Sequence, residues 1–113
     1  SLIPVIKEHT HNDYTQSAYE LSSYGSTYDF LKRHFANTTA SEYMPGEKLG
    51  ERINGIFNQD VQQLTFADAT FDIVTSNQVF EHVPDDVKVY AECLRVLRPG
   101  GGTYFCCAFI RYT

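Results

Sequence analysis

Several features that would define other classes of protein are missing from these 113 residues. No apolar run approaches the roughly 20 residues that cross a membrane as a helix. The G-x-G-x-x-G turn of nicotinamide-binding folds is absent, which argues against a nicotinamide-dependent enzyme. The formal net charge of −5 and the pI near 5.2 argue against nucleic acid or an anionic membrane as the main partner. The sequence therefore favours a small-molecule ligand.

Cysteine is scarce and lacks a functional spacing. The three cysteines are Cys93, Cys106 and Cys107, and they match no metal or redox motif. We interpret them as reduced core thiols, which together with the lack of a visible signal peptide favours a cytoplasmic location. His9 and His11 have a spacing that suits a metal in a strand, but no third ligand is evident, so no metal is predicted.

The chain has the composition of one globular domain, with 42% hydrophobic and 20% charged residues. Residues 1–17 are expected to be an irregular or helical lead-in, and residues 18–113 an α/β core. Strands are predicted at 18–23, 38–43, 52–58, 71–76 and 103–110, and helices at 26–36 and from Pro84 to Leu97, the latter with a buried stripe of Val87, Ala91 and Leu94. Strands that alternate with helices over short connections are parallel and joined by right-handed crossovers. The predicted fold is a doubly wound, mostly parallel sheet that binds its ligand beyond the carboxyl ends of the strands.

Polar residues follow each predicted strand, where that ligand would lie. Glu20 and Gly25 follow the first strand, and glycine suits a sharp strand-to-helix turn close to a ligand. Glu42 follows the second strand, where an acid can accept hydrogen bonds from two ribose hydroxyls. Asp60 follows the third strand, and its carboxylate can accept an adenine amino proton. Each also has an ordinary interpretation as a turn residue, a surface acid or a helix N-cap.

The fourth strand, "FDIVTS", leads into "NQVFEHVPDD", and residues 60–102 around it carry a resemblance to a known family. They contain an acid, a short "LTF" stretch, "FDIV", "EHV", a helix and "LRPGG" in succession. This order resembles class I S-adenosylmethionine-dependent methyltransferases, particularly their "type 11" small-molecule group. Residues 19–43 match more loosely, and the loop "LSSYGS" has one glycine where the family usually has several.

The resemblance implies S-adenosylmethionine as the cofactor, with Glu20 near its methionine part, Glu42 at the ribose and Asp60 at the adenine. The full set of implied cofactor-binding residues is Glu20, Gly25, Glu42, Asp60, Val61, Ser76 and Asn77. Gln78 and His82 are expected to border the substrate pocket. His82 is also a candidate general base, because an unperturbed histidine titrates near neutral pH. Since the family keeps "EH" across many substrates, we favour a place at the lip of the cleft over a catalytic one for this stretch.

The predicted function is methyl transfer to an unidentified small molecule. The alternative is a non-catalytic, C-terminally truncated fragment of the same fold that acts by interaction or has no activity. The five predicted strands fall short of the family's seven, so the sheet is expected to be incomplete at its C-terminal side. Residues after Phe105 are expected to be a frameshift product, because a one-base deletion there can restore a family-like tail. An open edge at the last strand would favour a homodimer.

Overall fold

The computed structural model describes residues 3–10, 13–76, 86–105 and 108–111. The lead-in contains a helix, as predicted. The helices are α1 (Ile3–Thr10), α2 (Ser26–His34) and α3 (Asp86–Val96), and the strands are β1 (Ser17–Glu20), β2 (Asn37–Glu42), β3 (Arg52–Ile53), β4 (Ile56–Asn58), β5 (Phe71–Ser76), β6 (Leu97–Phe105) and β7 (Ala108–Arg111).

The strands form one mixed sheet in the order β3-β4-β2-β1-β5-β6-β7. The five central strands are parallel to their neighbours, whereas β3 and β7 are antiparallel additions at the two sides. From β1 the chain first adds strands on one side of the sheet, beginning with β2. It later adds strands on the other side, beginning with β5. This strand order confirms the predicted doubly wound architecture.

Each face of the sheet carries its own core. Successive residues of a strand point to opposite faces, and β1 shows this clearly. Ala18 packs with α1 and α2 in a cluster that includes Ile6 and Leu31, whereas Tyr19 packs on the other face with residues of α3 such as Val89. The sheet is thus covered by helices on both faces, which leaves the ends of its strands uncovered. In doubly wound sheets the ligand binds at the carboxyl ends.

The predicted strand at 52–58 was wrong, because the segment is a hairpin. β3 and β4 are joined by Asn54 and Gly55, whose φ angles are 52° and 82°. Positive φ at both central residues is the geometry of a tight two-residue hairpin turn, for which Asn-Gly is the preferred sequence. The dipeptide was visible in the sequence and its meaning was missed.

The predicted strand at 103–110 was also wrong. Residues 97–105 form β6, and residues 108–111 turn back as β7, with Tyr104 opposite Phe109. The edge of β6 that was expected to be open is therefore paired with β7. Within the described residues, β7 is the outer strand on this side.

The buried stripe of α3 differs from the predicted one. Val89, Cys93 and Val96 are buried, whereas Val87 is 72% exposed and Ala91 faces solvent. Both sets have helical spacing, so periodicity alone did not decide between them; the docking of α3 on β5 and β6 did. The prediction that Cys93 is a core thiol is confirmed, and burial raises its pKa to about 12. Cys106 and Cys107 lie outside the described residues.

Candidate functional site at the carboxyl edge of the sheet

Four of the predicted site residues lie along one edge of the sheet. Because β4, β2, β1 and β5 are adjacent and parallel, their carboxyl ends meet there. Asp60, Glu42, Glu20 and Ser76 end or follow these strands, in that order across the edge. Ligands of doubly wound sheets bind at such an edge, next to the point where the strand order reverses. Here the reversal lies at β1, which Glu20 terminates.

Glu20 is a fully buried carboxylate held by neutral donors. Its Oε2 accepts hydrogen bonds from the N–H of Ser22 at 2.8 Å and from the Ser22 hydroxyl at 3.2 Å. Its Oε1 accepts the hydroxyl of Thr75 at 2.9 Å. Burial raises the pKa of Glu20 from its ordinary value of 4.5 to about 7, because these hydrogen bonds compensate only part of the lost hydration. None of the ion pairs among the described residues includes it.

Glu42 is half-buried and is held from one side only. The N–H of Ser23 donates to its Oε2 at 2.9 Å, and the Ser23 hydroxyl donates to the same oxygen at 2.5 Å. Its other oxygen, Oε1, accepts no hydrogen bond from the described part of the chain. A free carboxylate oxygen at this edge can accept a hydroxyl from a ligand.

The turn between β1 and α2 thus ties both acids together through its serines. Its one glycine, Gly25, has a φ of 104° and accepts the N–H of Asp29 at the start of α2. Such a φ is costly for any residue with a Cβ, which explains glycine at this position. Tyr24, the bulky residue of the turn, is 58% exposed. The turn approaches the two acids through Ser22 and Ser23.

Two buried amides brace the edge on the β4 side, and the sequence analysis missed both. Asn58 is fully buried, and its Oδ1 accepts the N–H of Met44 at 2.7 Å. Its Nδ2 donates to the carbonyls of Met44, Glu47 and Lys48 at 3.1, 3.0 and 3.2 Å. One side chain therefore fixes the loop that follows Glu42.

The neighbouring amide, Gln59, connects the two acids of this side. Its backbone N–H donates to the carbonyl of Glu42 at 3.0 Å. Its side chain accepts the N–H of Thr65 at 3.0 Å and donates to the Thr65 hydroxyl at 2.7 Å. The loop that contains Asp60 is thus held at a set position relative to Glu42.

Asp60 contributes a polar group to the edge, whereas Val61 contributes an apolar side chain to the core. Oδ1 of Asp60 accepts the N–H of Gln62 at 3.0 Å, which closes a local turn. Oδ2 has no hydrogen-bond partner among the residues described. The side chain of Val61 is buried in the core beside Tyr19 and Leu64. What Asp60 can offer to a ligand is therefore one free carboxylate oxygen.

Ser76 ends β5 with an unusual hydroxyl. The residue is fully buried, and its Oγ has no hydrogen-bond partner within the described parts of the chain. Buried hydroxyls are almost always paired, so an orphaned one at a ligand-binding edge calls for a partner. The other residues predicted from this stretch, Asn77, Gln78 and His82, lie outside the described residues.

The described residues show neither a metal centre nor a membrane span. Across these ranges, His, Cys, Asp and Glu side chains do not gather in groups of three or more that could hold a metal ion. In the same part of the chain, no helix is both long enough and apolar enough to pass through a bilayer.

Comparison with known proteins places this geometry in a family. Residues 21–105 match the model of a methyltransferase domain family. The chain is 44% identical over 46 residues to a ubiquinone biosynthesis O-methyltransferase of Hahella chejuensis, a match that covers 40% of this chain and 19% of that protein. It is 49% identical over 35 residues, 31% of this chain and 15% of the other, to the corresponding enzyme of Thiobacillus denitrificans. The matched segments thus span less than a fifth of these relatives.

Solved structures show the same fold. An S-adenosylmethionine-dependent methyltransferase of Mesorhizobium loti superposes with a TM-score of 0.66 at 17% identity, over 92% of this chain and 52% of that one. An arsenic(III) S-adenosylmethionine methyltransferase of Chlamydomonas reinhardtii gives 0.61 at 21% identity, over 80% and 38% of the two chains. At this identity the likeness concerns the fold alone.

The chain belongs to the methyltransferase domain family, because the family model covers most of its length. The predicted class, the S-adenosylmethionine-dependent methyltransferases of Rossmann-like fold, is confirmed. S-adenosylmethionine is the cofactor of that class, and the hydrogen-bond acceptors of this edge fit it. Free oxygens of Glu42 and Asp60 suit hydroxyl and amino donors, and the buried carboxylate of Glu20 suits an ammonium group.

Proposed function

We propose that this chain binds S-adenosylmethionine at the carboxyl edge of its sheet and that the protein transfers the methyl group to a small molecule. One observation carries the proposal. The edge presents oxygens without partners among the described residues, on Asp60, Glu42 and Ser76, and beside them a carboxylate, Glu20, that lacks a cation. Together they span the edge in the order that an adenosine joined to an amino acid requires.

Each acid has a distinct task in this proposal. Oδ2 of Asp60 accepts the amino group of the adenine, and Oε1 of Glu42 accepts a ribose hydroxyl. Glu20 faces the amino acid end with a carboxylate that already holds three neutral donors. Gln59 keeps the first two acids at a set separation, so the edge is organised before a ligand arrives.

The reaction needs little from the protein beyond position. S-adenosylmethionine would supply a methyl group on a sulfonium centre, with the thioether S-adenosylhomocysteine as the leaving group. The chain orients the partners, and a base removes the acceptor proton where one must leave. Asn77, Gln78 and His82 remain predictions for the substrate side, with His82 as the candidate base.

The nature of the acceptor is proposed only as a class. The formal net charge of −5 favours a small molecule over nucleic acid. The curated relatives are named as O-methyltransferases of ubiquinone biosynthesis, which supports an oxygen of a small organic molecule as one acceptor to test.

The predicted homodimer, now through the outer edge of β7, is tested by sedimentation: a strictly monomeric chain contradicts it.

Calorimetric titration with S-adenosylhomocysteine tests the binding proposal. We expect wild-type chain to bind, and Glu42→Ala and Asp60→Ala each to weaken binding by roughly tenfold or more, as expected for a lost hydrogen bond to a charged group. Glu47→Ala is the matched control, because Glu47 is an exposed acid of the next loop. A folded wild-type chain that gives no binding heat contradicts the proposal, and so does equal weakening in all three variants.

A further inference from the structure

Ser23 governs how much of the Glu42 carboxylate a ligand can use. Both its N–H and its hydroxyl donate to Oε2 of Glu42, at 2.9 and 2.5 Å. A carboxylate oxygen has about two lone-pair sites for hydrogen bonds. Oε2 is therefore fully occupied by one residue of the same chain, and Oε1 is the oxygen that remains.

The two adjacent hydroxyls of a ribose compete for these acceptor sites. A carboxylate with both oxygens free can accept one hydroxyl on each oxygen. With Oε2 occupied, both hydroxyls would have to share Oε1. Two adjacent ribose hydroxyls cannot both approach one oxygen along its divergent lone-pair directions, so only one of them is bound in good geometry. On the basis of the function proposed above, we infer that Ser23 is a specificity-determining residue that limits Glu42 to one ribose hydroxyl.

The hydroxyl of Ser23 is the decisive atom. A glycine at this position keeps the N–H and removes the side-chain donor, which frees a lone-pair site on Oε2. An alanine does the same with less backbone freedom. Ser26 is the matched control: it lies in the same segment at the first residue of α2, is exposed, and has no hydrogen bond to either acid among the described residues.

The test measures affinities for S-adenosylhomocysteine and its 2′-deoxy and 3′-deoxy analogues. In the wild-type chain we expect the loss of one hydroxyl to weaken binding roughly tenfold or more, and the loss of the other by less than about threefold. In Ser23→Gly and Ser23→Ala we expect both analogues to bind roughly tenfold more weakly than the parent. Ser26→Ala should keep the wild-type pattern, and circular dichroism confirms that each variant is folded.

Other outcomes overturn the inference in distinguishable ways. Equal losses for the two analogues in the wild-type chain, or an unchanged pattern in both Ser23 variants, overturn the role of Ser23 and leave the proposed function standing. Binding of the parent only after Ser23 is replaced shows that the serine blocks the site, which overturns the inference as well. Absence of binding in all folded chains overturns this inference together with the proposed function.

Discussion

Acidic residues have different kinds of partner at the amino ends and at the carboxyl ends of the strands. At the amino ends of the strands, Asp72 pairs with Arg98 at 3.2 Å and accepts the N–H of Ser17 at 2.9 Å. At the carboxyl ends, Glu20 and Glu42 take donors only from serine and threonine hydroxyls and backbone N–H groups within the described residues. The first acid is paired with a cation, whereas the two at the carboxyl ends are held by neutral groups alone among the described residues. The difference separates a structural ion pair from the ligand-binding acids proposed above.

The largest expected effect is the pH dependence that Glu20 imposes on stability. Its pKa is raised from 4.5 to about 7 on folding, so the folded state holds the proton more tightly. The contribution of Glu20 to stability is therefore greatest below pH 4.5 and is lost as the pH rises through 7, by on the order of 2–3 kcal/mol. Urea unfolding of wild-type chain and Glu20→Gln between pH 4 and 8.5 measures this loss.

The comparison with Glu20→Gln isolates one carboxyl group, since all other titrations are shared. The amide is the neutral isostere of the protonated carboxyl group, and its oxygen can still accept the Ser22 N–H. We expect the two free energies of unfolding to lie closest at low pH, and wild type to lose stability relative to Glu20→Gln as the pH rises. Parallel curves would show that Glu20 titrates at an ordinary pKa and that its burial has no functional meaning.

A smaller effect is expected at the opposite edge. Asp72→Ala leaves the Ser17 N–H without its acceptor and Arg98 without its ion pair. Because the pair is partly exposed, we expect a loss of about 1–2 kcal/mol in the free energy of unfolding. Urea unfolding at pH 7 measures it, with Glu42→Ala as the comparison, for which we expect less than about 1 kcal/mol. A larger loss in Glu42→Ala would reverse our assignment of the two edges.

The smallest effect is expected at Ser76. Removal of an unpaired buried hydroxyl costs nothing in hydrogen bonds, so Ser76→Ala should leave the free energy of unfolding within about 1 kcal/mol of wild type or raise it. Thr75→Val is the matched control, because it removes the hydroxyl that donates to Glu20 and should destabilise the chain. Thermal unfolding measures both variants. A clear destabilisation by Ser76→Ala would indicate that the hydroxyl has a structural partner.

The sequence predicted the frame of the site better than its details. The strand-helix alternation was sufficient to predict the doubly wound sheet, and the position after each strand was sufficient to place Glu20, Glu42 and Asp60 at its carboxyl edge. The helical pattern did not identify the buried face of α3, because two sets of its residues have the same spacing. Val89 and Cys93 are buried, and Val87 is not.

The contacts of Ser22, Ser23, Asn58 and Gln59 could not be predicted in the same way. Each of these side chains acts on a backbone or carboxylate group brought near by the fold, and small polar residues have no periodic signature. The hairpin turn at Asn54 and Gly55 is different, since its sequence signal was present and overlooked.

The central position of β1 has a consequence for how the chain folds on the ribosome. Ala18 of β1 pairs with Ile73 of β5, 55 residues later, so one side of the innermost strand stays unpaired until that segment emerges. At synthesis rates of about 5–20 residues per second, the wait is roughly 3–11 s. During this interval that side of β1 presents unpaired backbone N–H and C=O groups. The strand that organises the finished sheet is thus one whose pairing is completed only late in synthesis.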